Sequence, residues 1–243
     1  MSGLWQAMGS AYWNIEPSGP AAALAMRPGP VTPVPAAEVL ALGAIGSVPS
    51  TYGIVVGGPI PYTAQALAVR DRNREQRLEL DPEVKCYLPG VPRANYMHLP
   101  FQILQNESQF FVAYEYAGAV REVLFDDPGP PQVDTWMGQS VGAWEGDTLV
   151  VTVTGFNGMT WLDRAGNHHG SRLTVTERWT MTSPDHISYE AVLDDPDTYT
   201  EPWTMRFTLY RNLDPQARLG QFKCAEFVEE LLYGHLRKEP LPR

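Results

Sequence analysis

The chain has no apolar run of 18 residues, the length that a membrane-spanning helix needs, so it is expected not to cross or sit in a membrane. Its first residues, MSGLWQAMGSAYWNIEPSGP, lack the basic start and apolar core of a signal peptide, and a cytoplasmic location is expected. Basic charge is also scarce. With 18 Lys and Arg against 28 Asp and Glu, the formal net charge is -10, which argues against a nucleic-acid surface. Cysteine is limited to Cys86 and Cys224. Two residues that far apart make neither a CxxC motif nor a four-cysteine zinc site, and in a reducing compartment they are expected as thiols. GxSxG, GxGxxG and P-loop patterns are all missing, which removes serine-hydrolase and nucleotide-cofactor readings; no cofactor is expected.

What is present suits a β-rich fold. Hydrophobic residues make up 44% of the 243-residue chain and aromatic residues 11%, enough for a core with large side chains. Residues 1–63 carry Pro and Gly every few positions and read as an extended arm, with a short helix expected near Ala36–Leu42. Trp5, Tyr12, Trp13 and Tyr52 would tack that arm to a body. Residues 64–98 read as an amphipathic helix, AQALAVRDRNREQRLEL, stopped by Asp81-Pro82 and followed by the rigid turn region CYLPGVPRANY.

From residue 99 to 243 the apolar period changes to two. FQILQ, QFFVAYEYAGAVREVLF, WEGDTLVVTVTGF, RLTVTERWTM, HISYEAVL and WTMRFTLYR are separated by turn-forming clusters. That spacing predicts an all-β, mainly antiparallel meander closed into a barrel, and CAEFVEELLYGHLRK predicts a C-terminal helix.

Alternation then sorts the strand residues by face. In Leu173–Met181, Glu177 falls among Leu173, Val175, Trp179 and Met181, while Arg178 faces outward with the threonines. Glu115 shares a face with Phe111 and Ala113; Tyr114 and Tyr116 share the other with Phe110 and Val112. Arg121 alternates with Val123 and Phe125. Glu177, Glu115 and Arg121 are therefore the inward polar candidates. They form either a buried ion-pair cluster or the lining of a ligand cavity.

The loop before that strand, GMTWLDRAGNHHG, offers a second group. Asp163 can close on His169 and set its tautomer, or can serve as a turn aspartate bonding its own backbone. A metal reading would use His169, His168 and Asp163, with His98 or Glu177, but no HxH or HxxxH spacing supports it.

Most of the chain resembles a largely uncharacterised bacterial family of lipocalin-like barrels. The resemblance rests on LDPEVKCYLPGVPR, PFQILQ, YEYAGAVRE, MGQSVGAWEGDTLVV, GFNGMTWLDRAGNHHG, LTVTERW and DDPDTYTEPW. The family pattern T-W-x-D-x-x-G-x-x-H-S-x-x-L-x-V-x-E-R places Trp161, Asp163, Gly166, His169, Leu173, Glu177 and Arg178 on motif positions, with Gly170 replacing its serine. The resemblance implies a lipocalin-like barrel with an N-terminal wrap and carries no settled activity.

These readings converge on an acid–base enzyme of lyase or isomerase type, free of cofactor, acting on a hydrophobic aromatic or terpenoid-like molecule in the barrel. Asp163, His169 and Glu177 would be catalytic. Arg121 or Arg178 would hold an anion, and Glu115, Tyr114, Tyr116, Trp161 and Trp203 would line the ligand. The alternatives are a non-catalytic small-molecule carrier and a metal-dependent enzyme using His169 and Asp163. The sequence also allows a homodimer.

Overall fold

The computed structural model describes residues 1–20, 48–228 and 231, together with the short backbone pair of β2 (Met26–Arg27) and β3 (Val34–Pro35). The expected helix at Ala36–Leu42 and most of the expected C-terminal helix lie outside the described residues. Among the described residues no helix is long and apolar enough to cross a membrane.

The core of the structure is a closed β-barrel. Its strands are β1 (Gly3–Ala7), β5 (Phe101–Gln105), β6 (Phe110–Tyr114), β7 (Val120–Leu124), β8 (Gln139–Glu145), β9 (Thr148–Thr154), β10 (Thr174–Ser183), β11 (His186–Asp194) and β12 (Trp203–Arg211). They pair in that order, and β1 also pairs with β12, which closes the ring. A two-residue strand, β4 (Val55–Val56), continues the β1 edge along β12.

The closure corrects the expected role of the N-terminal arm. Its first residues are a barrel strand: Trp5 sits opposite Phe101 on one side and Arg211 on the other. Trp5 is fully buried, its indole donates to the Met1 carbonyl, and the Arg211 guanidinium covers its ring. Trp13 is also buried, but Tyr52 is fully exposed and holds nothing down.

A second correction concerns strand direction. β7 and β8 are parallel, paired only at Val123–Ser140 and Leu124–Val141. Residues 125–138 join them, and Pro128, Pro130 and Pro131 there prevent a tight hairpin, so the chain crosses back before pairing. All other barrel pairs are antiparallel.

Period-two alternation fills the interior. Leu149, Val151 and Val153 of β9, Val175, Glu177 and Trp179 of β10, and Ile187, Tyr189, Ala191 and Leu193 of β11 are fully buried. Trp179 packs edge-on against Phe101, Phe110 and Tyr189, in the aromatic geometry that ring quadrupoles favour.

Helix α1 (Ala64–Glu75) begins at a Thr63 cap and gives way at Gln76 to a single turn, α2 (Arg77–Leu80), which ends before Asp81 as expected. It is less amphipathic than its spacing suggested. Leu67 is exposed, and only Ala66 and Asn73 are buried. The helix instead rests its backbone on Gly166, whose φ of +88° leaves it no room for a side chain: a Cβ there would lie 2.7 Å from both Arg70 O and Arg74 N.

Candidate functional site

The inward carboxylate has a protein partner. Arg121 Nη1 donates to Glu177 Oε1 at 3.0 Å, and Nη2 donates to Oε2. Tyr189 (2.7 Å) and Asn95 (3.1 Å) also donate to Oε1. Asn95 accepts in turn from Tyr114 at 2.7 Å, and Arg121 Nε donates to Ser140 at 2.8 Å. Every member is buried, so each lone pair and N–H here must find its partner inside the protein, and most do. Burial pushes the Tyr114 hydroxyl up to about 12 and holds Tyr189 well above the usual phenol range, so both remain donors. Such a densely bonded, buried network has the form of a structural ion pair.

Two other expected members are elsewhere. Glu115 lies outside the barrel, because β6 ends at Tyr114 and a 3₁₀ turn (Tyr116–Gly118) follows. Its carboxylate accepts from the Gly220 backbone at 2.7 Å. Arg178 is on the outer face and pairs with Glu145 at 3.0 Å, both exposed. Trp203 is buried against Tyr199.

The loop pair does not form either. Asp163 accepts from the backbone of Ile15 (2.8 Å), Ala165 (2.9 Å) and Asn167 (3.1 Å) and from the Asn167 side chain (2.7 Å). It is a turn aspartate that also pins the N-terminal arm. His169 contacts the Gly170 carbonyl through Nδ1 (2.8 Å) and Thr160 Oγ1 through Nε2 (2.5 Å). A carbonyl can only accept, so Nδ1 carries the proton and Nε2 accepts from the hydroxyl. Burial lowers the imidazole's pKa and keeps this neutral tautomer. Both ring nitrogens and both Asp163 oxygens are therefore occupied, and neither residue is available to a metal. Among the described residues no three His, Cys, Asp or Glu side chains are grouped to hold one. His168 is half-buried, stacked 5.6 Å from Tyr62, and Trp161 bridges back to it through the backbone.

The structure gathers a different charged cluster at the barrel rim, from residues whose charge sequence reading passed over. Arg93, fully buried, donates to Asp81 Oδ1 (3.1 Å) and Oδ2 (3.3 Å) and to Glu83 Oε2 (2.7 Å). Arg164 grips Glu83 from the other side at 2.8 and 2.5 Å, and its guanidinium lies 4.4 Å from the Trp13 ring. Burial would raise Glu83, but the Arg164 and Arg93 guanidiniums outweigh it and hold the carboxyl at about 2.

Above this cluster runs the chain that follows β12. Cys86 and Cys224 are disulfide-bonded, with 5.8 Å between their Cα atoms, which corrects the expectation of two thiols. Phe227 N also bonds to Val84 O at 2.8 Å, and the Phe222 ring packs 4.9 Å from Tyr116. Between this strap and the cluster is a cleft of about 260 Å³. Trp13, Leu78, Tyr116, Phe222 and Phe227 supply apolar walls, and His98, Glu83 and Arg164 supply polar ones. Of the residues expected to line a ligand, Tyr116 is the one found here. The available signal was three charges, Asp81, Glu83 and Arg93, in a proline-bounded segment that shows no solvent-facing period. No protein-family model, curated protein or solved structure matches this chain.

Proposed function

We propose that the chain binds a hydrophobic small molecule, and that the ligand lies in the cleft beneath the strap instead of the barrel interior. The observation that carries this is the cleft itself: concave, mostly apolar, and ending in a fixed group of charges. The interior supports no comparable reading, since Trp179, Tyr189 and Phe101 fill it and the Arg121–Glu177 pair is bonded within the protein. The closed barrel supports a lipocalin-like relationship, although the parallel β7–β8 pair departs from that plan. The Cys86–Cys224 bond supports a compartment oxidising enough to keep it, so the cytoplasm expected from sequence is not the location we favour.

The test is fluorescence of N-phenyl-1-naphthylamine, an uncharged apolar dye. Its emission should rise with the native protein and fall away with Ala225→Trp, which fills the cleft from the strap. Val133→Trp, at an exposed site that does not line the cleft, should leave binding intact. Equal dye binding by Ala225→Trp and the native chain would place the site elsewhere.

A second reading retains acid–base chemistry, now centred on His98. This imidazole is on the cleft wall, and burial lowers its pKa despite the nearby Glu83 carboxylate, so at pH 7 it is neutral and can accept a proton. Under this reading His98→Asn keeps dye binding and abolishes turnover of the natural ligand; retained turnover excludes His98 as the base.

A further inference from the structure

The cleft has two walls from distant parts of the chain, and one covalent bond joins them. The inner wall is fixed. It includes the 3₁₀ turn Pro82–Lys85, which Asp81 caps by accepting from the Glu83 N–H at 2.9 Å. Arg93 and Arg164 brace the same turn through the Glu83 carboxylate. Cys86 closes it, its N–H donating to Glu83 O at 3.0 Å, and the Cys86 side chain is half-buried. The outer wall is the strap: Phe222, Lys223, Cys224, Ala225, Phe227 and Val228.

The two ends of the Cys86–Cys224 bond differ in exposure. From Gln221 to Val228 every residue except Phe222 and Phe227 is exposed, Cys224 included. A segment that buries so little opens easily, because few contacts offset the entropy of ordering it. The barrel does not need the strap: β1 and β12 close the ring, and neither cysteine lies on a strand. A disulfide that only staples a fold resists thiols, whereas an exposed one is open to exchange.

Building on the proposed binding site, we infer that Cys86–Cys224 is a redox latch on the cleft. Oxidised, it holds the strap over the ligand; reduction by a dithiol frees the strap and opens the cleft. The reductant's thiolate bonds to the exposed Cys224 sulfur, the S–S bond breaks, and its electron pair leaves on Cys86, which takes a proton from water. The reductant's second thiolate then displaces Cys224. The dithiol ends as a disulfide and both cysteines as thiols, with two electrons and two protons transferred. The Glu83 cluster stays on the barrel in either state, through its bonds to Arg93 and Arg164.

The test adds dithiothreitol to the folded full chain, with and without sub-denaturing urea, and counts thiols by iodoacetamide labelling and mass spectrometry. Thiols should appear at nearly the same rate in both, because the bond is reached without unfolding. N-phenyl-1-naphthylamine should then bind about 10-fold or more weakly, as it would if the freed strap were closed about a tenth of the time or less. Oxidised glutathione should restore the affinity. Cys86→Ser with Cys224→Ser should match the reduced chain and ignore reductant. Thiols that appear only as urea unfolds the barrel overturn the inference, as does equal dye affinity in the two redox states. If the oxidised chain does not bind the dye, the cleft reading fails separately and proteolysis decides the latch. New cuts within residues 212–228 on reduction then support it, and unchanged resistance there overturns it.

Discussion

Arg121 on β7 and Glu177 on β10 meet inside the barrel, two guanidinium nitrogens against two carboxylate oxygens, with β8 and β9 between their strands. Both side chains are buried, 3% and 0% exposed. Moving such a pair out of water costs several kcal/mol per ion, and the return comes only through complete pairing, which Tyr189, Asn95 and Ser140 help to provide.

It follows that Glu177→Gln is a stability variant before it is anything else. Arg121 would be left buried without its counter-charge, costing roughly 3–5 kcal/mol in urea unfolding. Removing both charges together, as Arg121→Met with Glu177→Leu, should recover much of that loss. If Glu177→Gln unfolds at the native urea midpoint yet loses ligand turnover, the carboxylate is catalytic and the structural assignment is wrong.

The strap and its disulfide make a second prediction. Residues 212–228 lie outside the closed barrel and are held to it by Cys86–Cys224, the Phe227–Val84 hydrogen bond and Tyr116–Phe222 packing. Reduction, or Cys224→Ser, should release the strap while the barrel persists. Limited proteolysis read by mass spectrometry should then show new cuts between residues 212 and 228, together with loss of dye binding. A digestion pattern unchanged by reductant would mean the other contacts suffice.

How much of this could be read from sequence depended on which residues carried a period. Glu177 and Arg121 were placed inward, and Arg178 outward, by alternation, because each had clearly apolar or clearly polar neighbours two residues away. Glu115 was misplaced because both faces of its strand are apolar: Phe110 and Val112 on one, Phe111 and Ala113 on the other. Alternation cannot choose between two such faces. β1 was invisible for another reason. Its five residues pair with strands about a hundred and two hundred positions away, and a Pro/Gly-rich setting hid the pattern. The rim cluster joins Asp81, Glu83 and Arg93 to Arg164, which is distant in sequence, so no local spacing could announce it.

Acid should destabilise the protein chiefly below about pH 4. His168 is held down to about 4, first by burial and then by the neighbouring His169, against about 6.5 in an unfolded chain. Glu83 is held at about 2, against about 4.3 unfolded. In both cases the unfolded chain binds more protons, so the stabilisation is complete above the unfolded pKa and is lost as pH falls to the folded one. The His168 contribution goes between about pH 6.5 and 4, and the Glu83 contribution between about 4.3 and 2, on the order of 3 kcal/mol each. Asp163 opposes the His168 contribution: burial raises it to about 6, so its own contribution fades as pH rises through that value. Between about pH 6.5 and 4 the His168 and Asp163 contributions are of similar size and opposite sign, so the urea midpoint should change little there and fall below about pH 4, while His168→Gln should make it rise as pH drops from about 6.5 to 4. A variant profile identical to that of the native chain would exclude His168 as a contributor.

Gly166 gives the sharpest geometric prediction. The residue combines a φ of +88° with a contact in which the backbone of α1 occupies the place of a side chain. Alanine there incurs both the left-handed backbone penalty and a clash with Arg70 O and Arg74 N, neither of which can turn aside as a flexible side chain would. Gly166→Ala should lower stability by about 1–3 kcal/mol. It should also loosen α1 from the 163–167 loop, seen as faster amide exchange at Asn73 and Asn167, whose polar groups lie along that contact. Gly57, also at positive φ but with open space around its Cβ position, is the control: Gly57→Ala carries the backbone cost without the clash. If the two substitutions cost the same, helix packing contributes nothing at Gly166 and the φ value alone explains the glycine.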